Sequence, residues 1–152
     1  MPRYQPPEAR PGENRDHKSR LIDTSECDAL PPDALIQAVH EFNAGQYFEC
    51  HETLEHAWLH ERGYIRVLWQ GIIQVSVGCL HLTRGNGEGA RKVWTAALKN
   101  LAPFPDRCHG IEVTALRTQT LCCLDAILAL GDHGIVQFDH ALFPVITLHE
   151  RE

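Results

Sequence analysis

The stretch FNAGQYFECHETLEHAW, residues 42–58, decides the fold. Gly45 can take the left-handed conformation that ends a helix, and Gly63 can close the segment that follows. The apolar residues between these glycines recur at helical spacing on one face: Tyr47, Cys50, Leu54, Ala57 and Trp58. The stretch therefore predicts the end of one helix, a tight turn, and a second helix over about residues 46–60.

Four more helices are predicted around this segment. The first begins at Pro31-Pro32-Asp33, since proline suits a first turn and an acidic residue favours the positive helix end. The third, about residues 64–84, is apolar almost all round and must be covered on most sides. Asn86 can cap a fourth helix. A fifth runs over about residues 111–130, and the remainder from residue 138 is a short helix or an extended tail. The fold class is therefore all-α, a compact bundle of about five helices.

The sequence contains an internal similarity, here called the echo, which indicates that the bundle is built from helical hairpins. Shifting the chain by 40 residues places Gly45 on Gly85 and Leu54 on Trp94. This spacing resembles helical-hairpin repeats such as the tetratricopeptide repeat. Two copies are fewer than a solenoid needs, so the echo predicts two similar hairpins packed in one domain.

Composition restricts the partners. The formal charge of −6 argues against nucleic acid, because phosphate binding needs clustered Lys and Arg. The run from residue 65 to 82 is long and apolar, but Arg66, Gln70, Gln74 and His81 would be costly in lipid, so no membrane span is expected. Residues 1–25 read as a disordered Pro/Arg-rich tail, and residues 26–152 as a single helical-bundle domain.

Six cysteines without a C-x-x-C pair favour a reduced, cytoplasmic protein. Several of them lie in apolar helical patterns, where cysteine behaves as a small hydrophobe. Cys122 and Cys123 are accordingly assigned to core packing. An apolar helix raises the pKa of a thiol and makes it unreactive.

The segment HETLEH, residues 51–56, resembles a zinc motif but lacks its register. The H-E-x-x-H motif sets two histidines one turn apart, whereas His56 lies about 140° round the helix from His51. His51 and Glu55 do share a face, beside the apolar one. His56 and His60 form a second pair that points away from it.

A candidate pocket combines the inward pair with the third helix. Gln70, Gln74 and His81 lie on one stripe there, and Gly71 and Gly78 allow close approach of another helix. If helices two and three form an antiparallel hairpin, His51 and Glu55 face this stripe, and Glu52 joins them. Two interpretations remain open: a hydrogen-bond network that fixes helix register, or a site for a small molecule or divalent metal, with His51, Glu55 and His81 as ligands.

A different class of function stays open beside this site. As the alternative to the pocket, the hairpin echo is typical of a non-enzymatic, tetratricopeptide-like protein-interaction module, with a protein partner or a second copy of the chain. A concave, exposed apolar groove favours that alternative, whereas a closed cavity at the polar signature residues favours ligand binding. No reaction or substrate follows from these residues.

The chain also resembles a known family, the proteins grouped as domain of unknown function 309. The matching stretches are FNAGQYFECHETLEHAW (42–58), QGIIQVSVGCLHLTRGNGEGA (70–90) and ALKNLAPF (97–104). The resemblance implies an all-helical cytoplasmic protein and no particular activity. Its signature positions map onto Glu49, His51, Glu52, Glu55, Trp58, Gln70, Gln74, His81 and Asn86.

Overall fold

A computed structural model of the chain describes residues 24–131 and 137–150. The described residues form five α-helices and confirm the predicted all-α bundle. The helices are α1 (Asp33–Asn43), α2 (Tyr47–His60), α3 (Ile65–Thr83), α4 (Gly87–Leu101) and α5 (Val113–Leu130). The predicted disordered tail over residues 1–25 lies almost wholly outside the described residues.

The two predicted hairpins are confirmed, with an offset of 40 residues. Gly45 ends α1 at φ 79° and Gly85 ends α3 at φ 76°, a conformation that glycine adopts without strain. After each glycine the next N–H returns to the helix. Gln46 N donates to the Glu41 carbonyl at 2.9 Å, and Asn86 N donates to the His81 carbonyl at 2.8 Å. The same local sequence signal therefore builds the same turn twice.

Helix α3 lies at the centre, as its apolar composition predicts. It packs between α2 and α4, and 89% of its most apolar window is buried. At Gly78 the Trp94 indole of α4 takes the space beside the α3 backbone, since a Cβ there would overlap it. The Trp94 Nε1–H donates to the Val75 carbonyl at 3.0 Å.

By length and composition alone, α3 and α5 could each cross a membrane. The burial of α3 is that of a core helix. Helix α5 differs, because only 33% of its apolar window is buried. Its outer side exposes Leu121 and Leu128.

A small hairpin between α4 and α5 was not predicted. Strands β1 (Arg107–Cys108) and β2 (Ile111–Glu112) pair antiparallel, and Leu148 bridges to Ile111. Within residues 137–150, the described part of the tail, a short 3-10 helix, His140–Leu142, is followed by extended chain. Both alternatives for this tail thus occur in succession. Asn43 fastens the extended part to α1 through both the N–H and the carbonyl of Ile146.

The expectation of six reduced cysteines is wrong for two of them. Cys27 and Cys108 form a disulfide across a sequence separation of 81 residues. Cys50, Cys79 and Cys123 are buried thiols, as expected, but Cys122 is exposed. Cys122 and Cys123 are adjacent in a helix and point about 100° apart, so only one of them reaches the core.

Candidate functional site

On α2, His51 and Glu55 form the predicted pair. The His51 Nε2 lies 2.7 Å from a Glu55 carboxylate oxygen, and their side chains are 19% and 31% exposed. The Phe48 ring lies 5.9 Å from the His51 ring. The pair is therefore at the surface edge of α2 rather than in a closed pocket. His56 and His60 are exposed, with ring centroids 5.4 Å apart.

The polar stripe of α3 faces a different helix from the one expected. Gln74 accepts a hydrogen bond from Asn100 of α4 at 2.8 Å. His81 Nδ1 lies 3.3 Å from the amide nitrogen of Asn86, at the start of α4. Gly71 and Gly78 lie on this side too, against Leu101 and Trp94 of α4. The close approach that these glycines permit is thus made by α4.

The predicted pocket between α2 and α3 must be corrected accordingly. Gln74 and His81 are buried against α4, whereas His51 and Glu55 pair on α2, with Glu52 exposed beside them. Gln70 is half-buried. The register-fixing network is the interpretation that the α3 residues fit. α3 meets α2 instead through contacts such as the Ser76 hydroxyl, which donates to the Tyr47 carbonyl at 2.7 Å.

The proposed metal ligands His51, Glu55 and His81 are not brought together. Within residues 24–131 and 137–150, no group of three His, Cys, Asp or Glu side chains is placed to hold a metal ion. The three proposed ligands are kept apart because the polar residues of α3 face α4, whereas those of α2 lie at the surface edge of their own helix. His81 belongs to the α3–α4 contact, and the other two residues belong to the outer edge of α2.

Burial sets the protonation states in the interior. Burial, assisted by Arg84, lowers the pKa of His81, which is 7% exposed. Burial also raises the pKa of the Cys50 thiol to about 12 and that of Cys79 well above its ordinary value. A neutral imidazole and protonated thiols fit a structural role.

Two of the three remaining signature residues have plain structural roles. The Trp58 ring is buried, and the Arg66 guanidinium carbon stacks 3.4 Å from its centroid. The Asn86 side chain accepts the Gly89 N–H at 2.9 Å and so caps α4 as predicted. Glu49 is exposed on α2. Apart from Gln70 on α3, the signature residues without a described role in packing lie on α2.

A surface feature on α2 was missed by the sequence interpretation. Phe48 and Leu59 are 44% and 45% exposed, although both are large and apolar. With Glu52 and Glu55 they follow the spacing i, i+4, i+7, i+11, which places all four on one helix face. We call these four residues the outer stripe of α2. The helical spacing of these four residues is visible in the sequence, but the site was predicted on the inward face of α2 instead.

Comparison with known proteins adds a family. Residues 35–93 match the family described as domain of unknown function (DUF309). Over this segment, which is less than half of the chain, the protein is similar to the DUF309 family. The matched segment contains most of α1, all of α2 and α3, and the first half of α4. The disulfide, the small hairpin and α5 lie outside the matched segment.

Two relatives of the chain have no established role. An uncharacterised protein of Aquifex aeolicus (strain VF5) is 28% identical over 102 residues, which cover 66% of this chain and 29% of that protein. The uncharacterised protein YpuF of Bacillus subtilis (strain 168) is 38% identical over 72 residues, which cover 46% of this chain and 41% of that protein. The matched region thus spans less than half of either relative.

Proposed function

We propose that the protein is a non-enzymatic interaction module in which the outer stripe of α2 binds a basic amphipathic segment of a protein partner. One observation carries the proposal. Phe48 and Leu59 expose nearly half of their surface at the two ends of a stripe whose middle is acidic.

The stripe is not needed for the core. The buried face of α2 consists of Cys50, Leu54 and Trp58, which point to the other side of the helix. Single exposed apolar residues are common on protein surfaces. Two lie on one face here, about 16 Å apart along the axis, a distance that three turns of a helical partner segment span.

Charge selects the class of partner. Helix α2 contains three glutamates and no lysine or arginine. The Glu52 and Glu55 carboxylates separate the two apolar anchors, so a segment with apolar residues at its ends and cationic residues between them is complementary. Such complementarity raises association rates and disfavours acidic partners.

The position of the stripe within the matched family segment also supports it. Helix α2 lies inside residues 35–93, whereas the exposed Leu121 and Leu128 of α5 lie beyond them. A metal or small-ligand function has less support, because the residues proposed for it are divided between the outer edge of α2 and the α3–α4 contact.

The test uses a fluorescent 18-residue peptide of lysines and leucines at helical spacing, with a glutamate/leucine peptide of the same pattern as control. Fluorescence anisotropy gives Kd for the wild type and for the double variant Phe48→Ser/Leu59→Ser. We expect the variant to bind the lysine peptide at least about tenfold more weakly, since each lost apolar anchor is worth about 1.5–3 kcal/mol if fully buried.

A matched surface variant and a charge variant complete the design. Leu128→Ser on α5 removes an apolar side chain of similar exposure and is expected to leave Kd unchanged. Glu52→Gln/Glu55→Gln should weaken lysine-peptide binding and reduce its salt dependence. Equal affinity of the wild type and Phe48→Ser/Leu59→Ser would refute the proposal, as would equal affinity for the two peptides.

A further inference from the structure

The Cys27–Cys108 disulfide joins two segments that are remote in sequence. Cys27 belongs to a 3-10 turn, Thr24–Asp28, and Cys108 ends β1. The backbone strengthens this junction, because His109 N donates to the Cys27 carbonyl at 2.9 Å. The junction lies outside the matched family segment and is independent of the outer stripe of α2.

A cavity of about 510 Å³ opens directly onto one of the two sulfur-bearing residues. Its walls include Cys27, Asp28, Leu30, Arg107 and His149. Cys27 is 8% exposed, whereas Cys108 is fully buried and does not line the cavity. A small molecule therefore has a route to one residue of the disulfide and not to the other. Arg107, which lines the cavity together with Asp28, can form an ion pair with a carboxylate of an incoming molecule.

We propose that this cavity is a thiol–disulfide exchange site for a small carboxylate-bearing thiol, with Cys27 as the residue attacked. The incoming thiolate forms a bond to the Cys27 sulfur while the Cys27–Cys108 bond breaks, and the electron pair leaves on the Cys108 sulfur as a thiolate. A second thiolate attacks the sulfur of the bound small thiol and releases Cys27 as a thiolate. The disulfide gains two electrons, and the two small thiols are oxidised to one disulfide.

Opening this disulfide has a consequence for the central helix. The neighbouring Glu26 caps α3, because its carboxylate accepts the Tyr64 N–H at 3.1 Å and the Ile65 N–H at 2.8 Å. Helix α3 has no side-chain cap of its own and no acidic residue in its first turn. Reduction therefore frees the turn that holds Glu26 in place, and the start of α3 loses its cap.

The experiment uses the full chain with Cys122→Ser, which removes the exposed thiol. The air-oxidised protein is incubated with reduced glutathione without denaturant, quenched with acid, and mapped by peptide mass spectrometry. We expect a glutathione adduct on Cys27. Amide hydrogen exchange is then compared before and after complete reduction with dithiothreitol. Exchange at residues 64–66 should rise several-fold, while exchange within Trp94–Leu98 of α4 stays unchanged.

The variant Glu26→Ala is the matched control. It should show fast exchange at residues 64–66 already in the oxidised state, with no further rise on reduction. The proposal is overturned if the air-oxidised chain contains no Cys27–Cys108 bond or if the bond is reduced only after denaturant is added. It is also overturned if glutathione is found on Cys108, or if reduction leaves exchange at the start of α3 unchanged.

Discussion

Among the described glycines, Gly78 has the least room for a side chain. A Cβ at this position would overlap the Trp94 indole, and Trp94 is fully buried and hydrogen-bonded to the backbone of α3. We expect Gly78→Ala to destabilise the protein by about 1–3 kcal/mol, because overpacking a dense core forces neighbours out of position. Urea denaturation measures the change.

A second variant distinguishes steric overlap with the Trp94 indole from the effect of alanine on helix propensity. In Gly78→Ala/Trp94→Leu the smaller side chain makes room for the new methyl group. The double variant should therefore lose less stability than the sum of the two single variants. Additive losses would contradict the steric explanation, and so would a stabilised Gly78→Ala.

Two buried histidines give the stability a pH dependence. Burial lowers the pKa of His81 and of His109 below the ordinary value of 6.5. The unfolded chain then binds more protons than the folded protein in mildly acidic solution, so the stabilisation is complete above about pH 6.5 and is lost as the pH falls below it.

Denaturation at several pH values checks this expectation. Between pH 7 and pH 5, His81→Asn should show a shallower loss of unfolding free energy than the wild type, with the remaining slope due in part to His109. His56→Asn, which alters an exposed histidine, should keep the wild-type slope. An unchanged slope in His81→Asn would show that His81 does not titrate differently on folding.

At the scale of elements, the polar residues of α3 act as a register device for α4. Gln74 and Asn100 are joined by a 2.8 Å hydrogen bond between the two helices. Removing one partner leaves a part-buried amide unsatisfied, which costs about 1–3 kcal/mol. We expect Gln74→Leu and Asn100→Leu each to destabilise the protein.

A double-mutant cycle on this pair measures the coupling. The double leucine variant should lose about 0.5–3 kcal/mol less than the sum of the single losses. Zero coupling would show that the bond does not contribute to the α3–α4 contact.

Element boundaries were predictable from the sequence because their signals are local. Pro32 precedes α1 and Asp33 lies in its first turn. Gly45 and Gly85 end helices, and Asn86 caps α4. Each of these effects acts within about one turn of chain. The bundle of five helices could be assembled from such signals together with apolar periodicity.

The partner of each face of α3 was not predictable in the same way. A helix that is apolar almost all round carries no mark that distinguishes the side facing α2 from the side facing α4. The stripe of Gln74 and His81 was therefore assigned to α2, whereas the structure turns it to α4. The Cys27–Cys108 pairing had no local signal either, since 81 residues separate its partners, and two-residue strands are too short to show a period.

At the scale of the whole molecule, the disulfide closes most of the described chain into one loop. Removing such a crosslink from a small domain costs about 2–5 kcal/mol, with larger values for longer loops. We expect Cys27→Ser/Cys108→Ser to lose stability within this range in urea denaturation. The matched control, Cys122→Ser, alters an exposed thiol outside the disulfide and should change stability little. Equal stability of both variants in oxidising buffer would contradict the crosslink.

The polar residues singled out in the sequence are divided between two places. Gln74 and His81 pack against α4, and we propose that the outer stripe of α2 binds a partner. The most direct test is a backbone NMR titration of the whole chain with the lysine/leucine peptide. We expect the largest amide shift changes within Tyr47–His60, around Phe48 and Leu59. Shift changes concentrated on α5, or absent from α2 at saturating peptide, would contradict the claim.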